Sequence, residues 1–198
     1  MPLTFKRLVL FLSITAAFAA DKETPFRAAP AGSYEHHQAN SQVTIGVDTY
    51  HTPDKAKTAF GKVNPYDYGV LPVLVVIQND SSQTIRLDRL KAEYSGPNRE
   101  RVEATPANQV RYLKPPERPG VAPGPMGQIK ALKTKKNPLA EWEIEGRALS
   151  AQLLPAGQTA SGFLYFQTGL QGGSTLYLSG LTEAQSGKEL LFFEIPLK

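Results

Sequence analysis

The stretch Val70-Leu71-Pro72-Val73-Leu74-Val75-Val76-Ile77 decides the fold. It is apolar throughout, rich in β-branched side chains, and stops at the turn-forming run Gln78-Asn79-Asp80-Ser81-Ser82. A strand with one wet face alternates apolar with polar residues, so a run without alternation reads as a central strand buried on both faces. Pro72 stands near its start, where a missing amide donor is tolerated.

Upstream, Val43, Ile45 and Val47 alternate with Thr44, Gly46 and Asp48, the period of a half-buried strand over 42–50. Between these two strands, Thr52-Pro53-Asp54 supplies a cap, a proline at the first helical position and an acid in the first turn, and Gly61 closes the segment. One short helix is expected there. Residues 20–41 lack apolar periodicity and hold Pro25, Pro30 and Gly32, so they read as a flexible N-terminal arm.

Downstream, short strands are expected over 84–87, 90–94, 99–103 and 109–113, separated by Ser95-Gly96-Pro97-Asn98 and Thr105-Pro106-Ala107-Asn108. Residues 114–128 then interleave Pro115, Pro116, Pro119, Pro123 and Pro125 with Gly120, Gly124 and Gly127. This reads as a long Pro/Gly-rich loop, functional or disordered, that forms neither ladder nor helix. Asn137-Pro138 opens one helical turn, followed by a strand over 147–154. Pro155-Ala156-Gly157, Gly172-Gly173 and Gln185-Ser186-Gly187-Lys188 separate three further strands, over 159–168, 175–179 and 189–195, which read as a C-terminal meander. Many short strands with regular turns mean an all-β domain over 42–198, a sandwich or a barrel.

The first 19 residues read as a secretory signal: Lys6-Arg7, an apolar run from Leu8 to Phe18, and Ala17-Phe18-Ala19 before the cleavage point. The run is shorter than the roughly 20 apolar residues that span a bilayer, so no membrane segment is expected in the mature chain. Removing Lys6 and Arg7 takes the formal net charge from +4 to +2. That is too weak a basic balance, in the wrong compartment, for a nucleic-acid binder. The absence of cysteine excludes disulfides, thiolate metal sites, thiol nucleophiles and a lipid-bearing N-terminal cysteine. The expected location is a periplasm or the cell exterior.

Three features together, Leu74-Val75-Val76-Ile77-Gln78-Asn79, the turn Leu154-Pro155-Ala156-Gly157 and the aromatic strand Gly162-Phe163-Leu164-Tyr165-Phe166, make a pattern that resembles small exported bacterial immunoglobulin-like domains. The mycobacterial immunoprotective extracellular antigens exemplify that class. The similarity runs from Val43 to Ile195 and implies an immunoglobulin-like β-sandwich in an exported protein. It implies no catalytic or ligand residues, and the Pro/Gly-rich insert after Leu113 departs from the compact pattern.

Three groups of residues stand out as candidate sites. His36, His37 and His51, the only histidines, lie near Glu35 and Asp48 and are candidate zinc or copper ligands. Adjacent residues on an extended arm point apart, so a solvated arm and a strand-end histidine account for them better than a metal site does. Tyr66, Asp67 and Tyr68 could present a sugar- or peptide-binding surface from one loop, or pack on the sandwich edge. Arg111, Lys114, Arg118, Lys130, Lys133, Lys135 and Lys136 surround the Pro/Gly-rich loop, with Glu117 opposing them, and could meet anionic surfaces or simply be solvated. Glu141, Glu143 and Glu145 share one face if extended and could offer oxygens to calcium, but calcium needs roughly six to eight oxygens, usually from a looped backbone, so pairing with the upstream lysines is the expected use. Gly-x-Ser-x-Gly, Ser-x-x-Lys and His-Glu-x-x-His are all missing. The expected function is therefore non-catalytic and cofactor-free: an interaction module for an envelope or extracellular protein, or else a periplasmic carrier of a small ligand or metal ion.

Overall fold

A computed structural model describes residues 26–114, 121–123, 129–131, 136–190 and 192–198. The signal segment and most of the Pro/Gly-rich loop lie outside the described residues. The elements follow as β1 (His36–Asn40), β2 (Val43–Thr49), α1 (Pro53–Phe60), β3 (Leu71–Asn79), β4 (Ile85–Arg86), β5 (Lys91–Ser95), β6 (Arg101–Glu103) and α2 (Ala107–Val110). After these come β7 (Val121–Pro123), β8 (Ile129–Ala131), α3 (Trp142–Gly146), β9 (Leu153–Leu154), β10 (Thr159–Phe166), β11 (Thr175–Ser179), β12 (Thr182–Glu183) and β13 (Phe193–Pro196). The fold is all-β, with every paired strand antiparallel to its neighbour.

Two four-stranded sheets, ordered β1-β2-β3-β10 and β13-β11-β5-β6, share one core. Period-two alternation supplies both inner faces: Val43, Ile45 and Val47 with Val73, Val75 and Ile77 on the first, and Tyr94, Leu176, Leu178, Phe193 and Ile195 on the second. The first sheet's other face is also dry. Leu74, Val76, Phe163 and Tyr165 meet Ala56, Ala59 and Phe60 of α1, Val110 of α2 and Ile144 of α3 in a second core. β3 therefore lies between sheet and helices, which is why its sequence does not alternate. Gly46 and Gly162 allow this layering, since a Cβ at the first would overlap the Ala31 carbonyl and one at the second the Leu149 backbone.

β3 ends in Asn79, which is fully buried yet fully satisfied. Its amide donates to the carbonyls of Gln83 at 2.8 Å, Leu154 at 3.0 Å and Pro155 at 3.1 Å. Its carbonyl accepts from the Ser81 amide at 3.1 Å and the Ser81 hydroxyl at 2.6 Å. One side chain thus fixes the exit of β3 against the β9–β10 turn and directs β4 into a small sheet ordered β12-β4-β9.

Several expectations need correction. The arm is not free: Ala31 is buried, Phe26 packs on Tyr50 and Phe163, and His36–Asn40 pairs with β2 through Ser41-Gln42, both at positive φ. Residues 109–113 form no strand; α2 covers Ala107–Val110 because Val110 has a place under the helical layer. The Pro/Gly-rich loop does contain a ladder, Val121–Pro123 against Ile129–Ala131, with Pro123 at its end. Residues 147–154 are mostly irregular. Ala148 forms a lone parallel bridge to Phe163, and only Leu153–Leu154 is strand. Glu143 and Glu145 lie on the helix α3, not on an extended face, and Glu141 is its cap residue. The C-terminal strands form no meander, for β10 pairs with β3 and β11 pairs with β5 and β13. There are three α-helices among the described residues rather than one.

Asn79→Ala is expected to cost about 3 kcal/mol, because the buried Leu154 carbonyl and the part-buried Gln83 and Pro155 carbonyls lose their donor and the Ser81 amide and hydroxyl their acceptor. Urea unfolding checks this; a loss under about 0.5 kcal/mol would show that water replaces the amide freely.

Candidate functional site

A cleft of about 490 Å³ opens beside β1, β2 and the start of α1. Strand alternation explains its lining. On β1, His36 turns toward the cleft while His37 turns away, its Nδ1 donating to the Tyr34 carbonyl at 2.7 Å. Asp48 is the last outward-turned acid of β2, and His51 follows where the chain leaves the sheet for α1. Lys55, one turn into that helix, reaches back to Asp48 at 2.7 Å. Glu35, Leu170 and Lys198 complete the rim. The structure thus brings together His36, His51, Glu35 and Asp48 and separates His37 from them.

The electrostatics are mixed. His51 Nδ1 lies 3.1 Å from the Oγ1 of buried Thr49, and its ring meets Tyr66 edge-on at 5.9 Å. Burial pulls the His51 pKa below its ordinary value, and Lys55 and Lys198 push the same way, against Asp48 and the Thr49 contact. Burial, then Asp48 and Tyr34, push the Tyr50 phenol up to about 12. Tyr34 also rises through burial, although its oxygen accepts the Ala29 amide at 2.9 Å. Among the described residues, no three His, Asp or Glu side chains gather closely enough to hold a metal ion. The cleft can accept a small ligand bearing both charges, with Lys55 and the histidines facing an anionic group and Glu35 a cationic one.

The tyrosine loop does not form one surface. The Tyr66 hydroxyl accepts the Leu170 amide at 3.0 Å and so pins the crossing from β10 to β11. Asp67 accepts from the Asn64 amide at 2.9 Å, fixing its own turn. Tyr68 is exposed beneath the Lys114 ammonium, 4.9 Å above its ring. Of the basic group, Arg111 pairs with Glu145 and Lys136 with Glu141 at 2.9 Å. Arg118, Lys133 and Lys135 lie outside the described residues, and Lys130 falls in β8. No helix among the described residues is long and apolar enough to cross a membrane.

Sequence reasoning missed a second surface. Nothing described packs over the outer face of the second sheet, where the Tyr177 and Phe192 rings stack at 5.2 Å and 28°, with Phe192 half exposed. Tyr177 stands directly opposite Glu194 on one side and Glu93 on the other. The signal was present as outward positions of alternating strands, but strand order is needed to place those residues in one row.

Comparison with known proteins adds two distant likenesses. No family model matches the chain, and no curated protein sequence matches it. Among solved structures it is similar to the yjhA protein from Bacillus subtilis, at 12% identity and a TM-score of 0.42, covering 83% of this chain and 98% of that one. It is also similar to a functionally unknown protein from Listeria monocytogenes EGD-e, at 12% identity and a TM-score of 0.36, covering 82% of each chain.

Because the His51 pKa is depressed in the fold, the protein's preference for the neutral ring is in place above the unfolded value of 6.5 and is lost as pH falls through the folded value. An NMR titration is expected to show His51 changing charge below 6.5. Stability should fall less steeply from about pH 7.5 to pH 5 in His51→Gln than in the parent. A His51 midpoint at or above the ordinary value would overturn the reading.

Proposed function

We propose that this chain is an exported, non-catalytic immunoglobulin-like sandwich that acts as a protein-interaction module of the envelope or cell exterior. The observation that carries the proposal is the asymmetry of the two sheets. One is covered by helices, whereas the other leaves a solvent-facing aromatic pair between carboxylates. Leaving large aromatic rings in water forgoes burial energy that a partner would recover, and aromatic residues are enriched at such interfaces. Glu93 and Glu194 beside the rings favour a partner with basic residues around an apolar centre. The Lys6-Arg7 leader with its Ala17-Phe18-Ala19 end supports export, and a mature N-terminus at Ala20 is the corresponding expectation, checked by mass spectrometry of the secreted chain.

A second reading draws on the cleft, where His36 and His51, far apart along a chain read as a loose arm, share one lining with Asp48 and Lys55. In that reading the protein carries a small zwitterionic ligand.

The two readings separate experimentally. A photo-crosslinking residue at position 192 is expected to trap one stoichiometric envelope protein, and Tyr177→Ser with Phe192→Ser is expected to weaken that complex about tenfold or more without changing the unfolding midpoint by more than a few degrees. If the double variant binds as tightly as the parent, the exposed face is not the contact. If His36→Ala and His51→Gln alone abolish binding, the cleft reading replaces it.

A further inference from the structure

Among the described residues, the hydrogen-bond parity of β6 leaves one short edge open. Glu93, Tyr94 and Ser95 of β5 stand opposite Glu103, Val102 and Arg101 of β6. Just beyond the strand, the Gly96 amide donates to the Glu100 carbonyl at 2.9 Å and the Ala104 amide to the Ala92 carbonyl at 3.0 Å. Even-numbered residues of β6 therefore turn their backbone polar groups toward β5, and those of Arg101 and Glu103 face away from the sheet. The next odd residue, Thr105, already gives its amide to the Tyr165 carbonyl of β10 at 2.7 Å. What remains unpaired among the described residues is two amides and two carbonyls, on Arg101 and Glu103, flanking the half-buried Val102.

The side chains on this edge carry an unresolved charge conflict. Glu103 stands directly opposite Glu93, an arrangement that like-charge repulsion makes unfavourable. Arg101 leans to Glu93 at 3.3 Å, so Glu93 is compensated while Glu103 has no cationic partner among the described residues. Charges on a short edge strand ordinarily deter pairing with foreign strands. The order Arg101-Val102-Glu103 differs from a merely charged edge because, run antiparallel against itself, it is its own complement.

We propose that β6 is a self-pairing edge at which a second copy of this chain adds, joining two second sheets into one continuous eight-stranded sheet across a two-fold axis at Val102. Arg101 of each copy faces Glu103 of the other. Outward-facing amides and carbonyls of both residues meet in the register that exchanges both hydrogen bonds of a close antiparallel pair. The two Val102 side chains touch in the intervening non-hydrogen-bonded position. Both Glu103 carboxylates gain a cation that no described residue of their own chain provides, and the interface is isologous and closes on itself. This inference is independent of the partner proposed for the Tyr177–Phe192 face, which the pairing leaves open.

A three-residue edge buries far less than the roughly 1,200 Å² of stable complexes, so the association is weak, with a Kd on the order of 0.1 mM. Sedimentation velocity on the full mature chain, over a concentration series that brackets this value, is expected to show a reversible monomer–dimer equilibrium that weakens as salt rises. Glu103→Arg alone and Arg101→Glu alone each place like charges opposite one another and are expected to weaken it tenfold or more. Mixing these two variants restores complementary pairs and is expected to recover dimer that neither forms by itself, as is the double exchange Arg101→Glu with Glu103→Arg. Hydrogen exchange gives a separate readout: the Arg101 and Glu103 amides should gain protection with concentration, while that of Val102 stays protected throughout. A parent chain that remains monomeric across the series, single variants that dimerise like the parent, or a mixture that fails to recover dimer would each overturn the proposal. Circular dichroism of each variant confirms that a loss of dimer is not a loss of fold.

Discussion

The constraint on which the rest of the structure depends is that β3 must be dry on both faces. With Leu71, Val73, Val75 and Ile77 on one side and Leu74 and Val76 on the other, neither face can be left to water. Each such side chain is worth about 1.5–3 kcal/mol when fully buried, so a single opposing sheet would waste half of the strand. The molecule therefore has three layers. The second sheet covers one face, and α1, α2, α3 and the buried Ala31 segment cover the other. The short helices, unstable as isolated peptides, exist because each supplies one to three buried apolar side chains to that second core.

Hydroxyl and amide side chains then join what packing alone would leave loose. Asn79 holds the β3 exit to the β9–β10 turn, while Tyr165 donates to the Ile144 carbonyl at 2.6 Å and ties β10 to α3. On the other side, the Tyr94 hydroxyl donates to the Gly169 carbonyl at 3.1 Å and accepts the Gln171 amide at 3.2 Å. Together with Tyr66 it secures the crossing that carries the chain from the first sheet to the second. These tyrosines are hinge pins of the sandwich, and the cleft inherits its shape from them because Leu170, held by Tyr66, forms part of its wall.

The fold was legible wherever a local rule and the tertiary environment agree. The unbroken apolar run marked β3, the alternation marked β2, and Thr52-Pro53 with Gly61 marked α1 within a residue of its ends. It was illegible where pairing or burial is decided by distant partners. His36–Asn40 is a strand whose two faces are both largely polar, so nothing in its own residues announces it; β2 dictates it. Ala107–Val110 is helical because one valine reaches the helical layer. Glu141 to Glu145 alternate like a strand yet coil, and only Ile144 among them is buried. The site followed the same division. Histidine spacing suggested proximity without geometry, and strand formation at β1 was needed to send His36 and His37 to opposite sides. The tyrosine triplet misled for a related reason, since a residue type common at binding surfaces is equally common where a hydroxyl must secure a loop.

A two-sheet sandwich has four edges, and here three are disposed of by different means. The edges of β1 and β13 approach each other, and the Gln38 side chain accepts the outward Glu194 amide at 2.7 Å, so each shields the other. The edge of β10 is overlaid in part by residues 147–149, with the Phe163 amide donating to Arg147 and the Leu149 amide to Phe163 at 2.8 and 3.1 Å, and in part by Thr105. These covers are irregular segments that consume backbone groups while Ala148 and Leu149 pack against the two cores, which explains why a stretch rich in strand-like residues stays irregular. β6 receives no such cover from the described residues. Its three residues are short and charged enough to resist a foreign strand. The outer faces repeat the contrast, with one sheet roofed by helices and the other left open beside that same edge. Among the described residues, the side formed by β6, β5, β11 and β13 is thus the one where both a sheet edge and a sheet face are left uncovered, because the chain that roofs the other sheet and closes the other edges is all spent on burying β3.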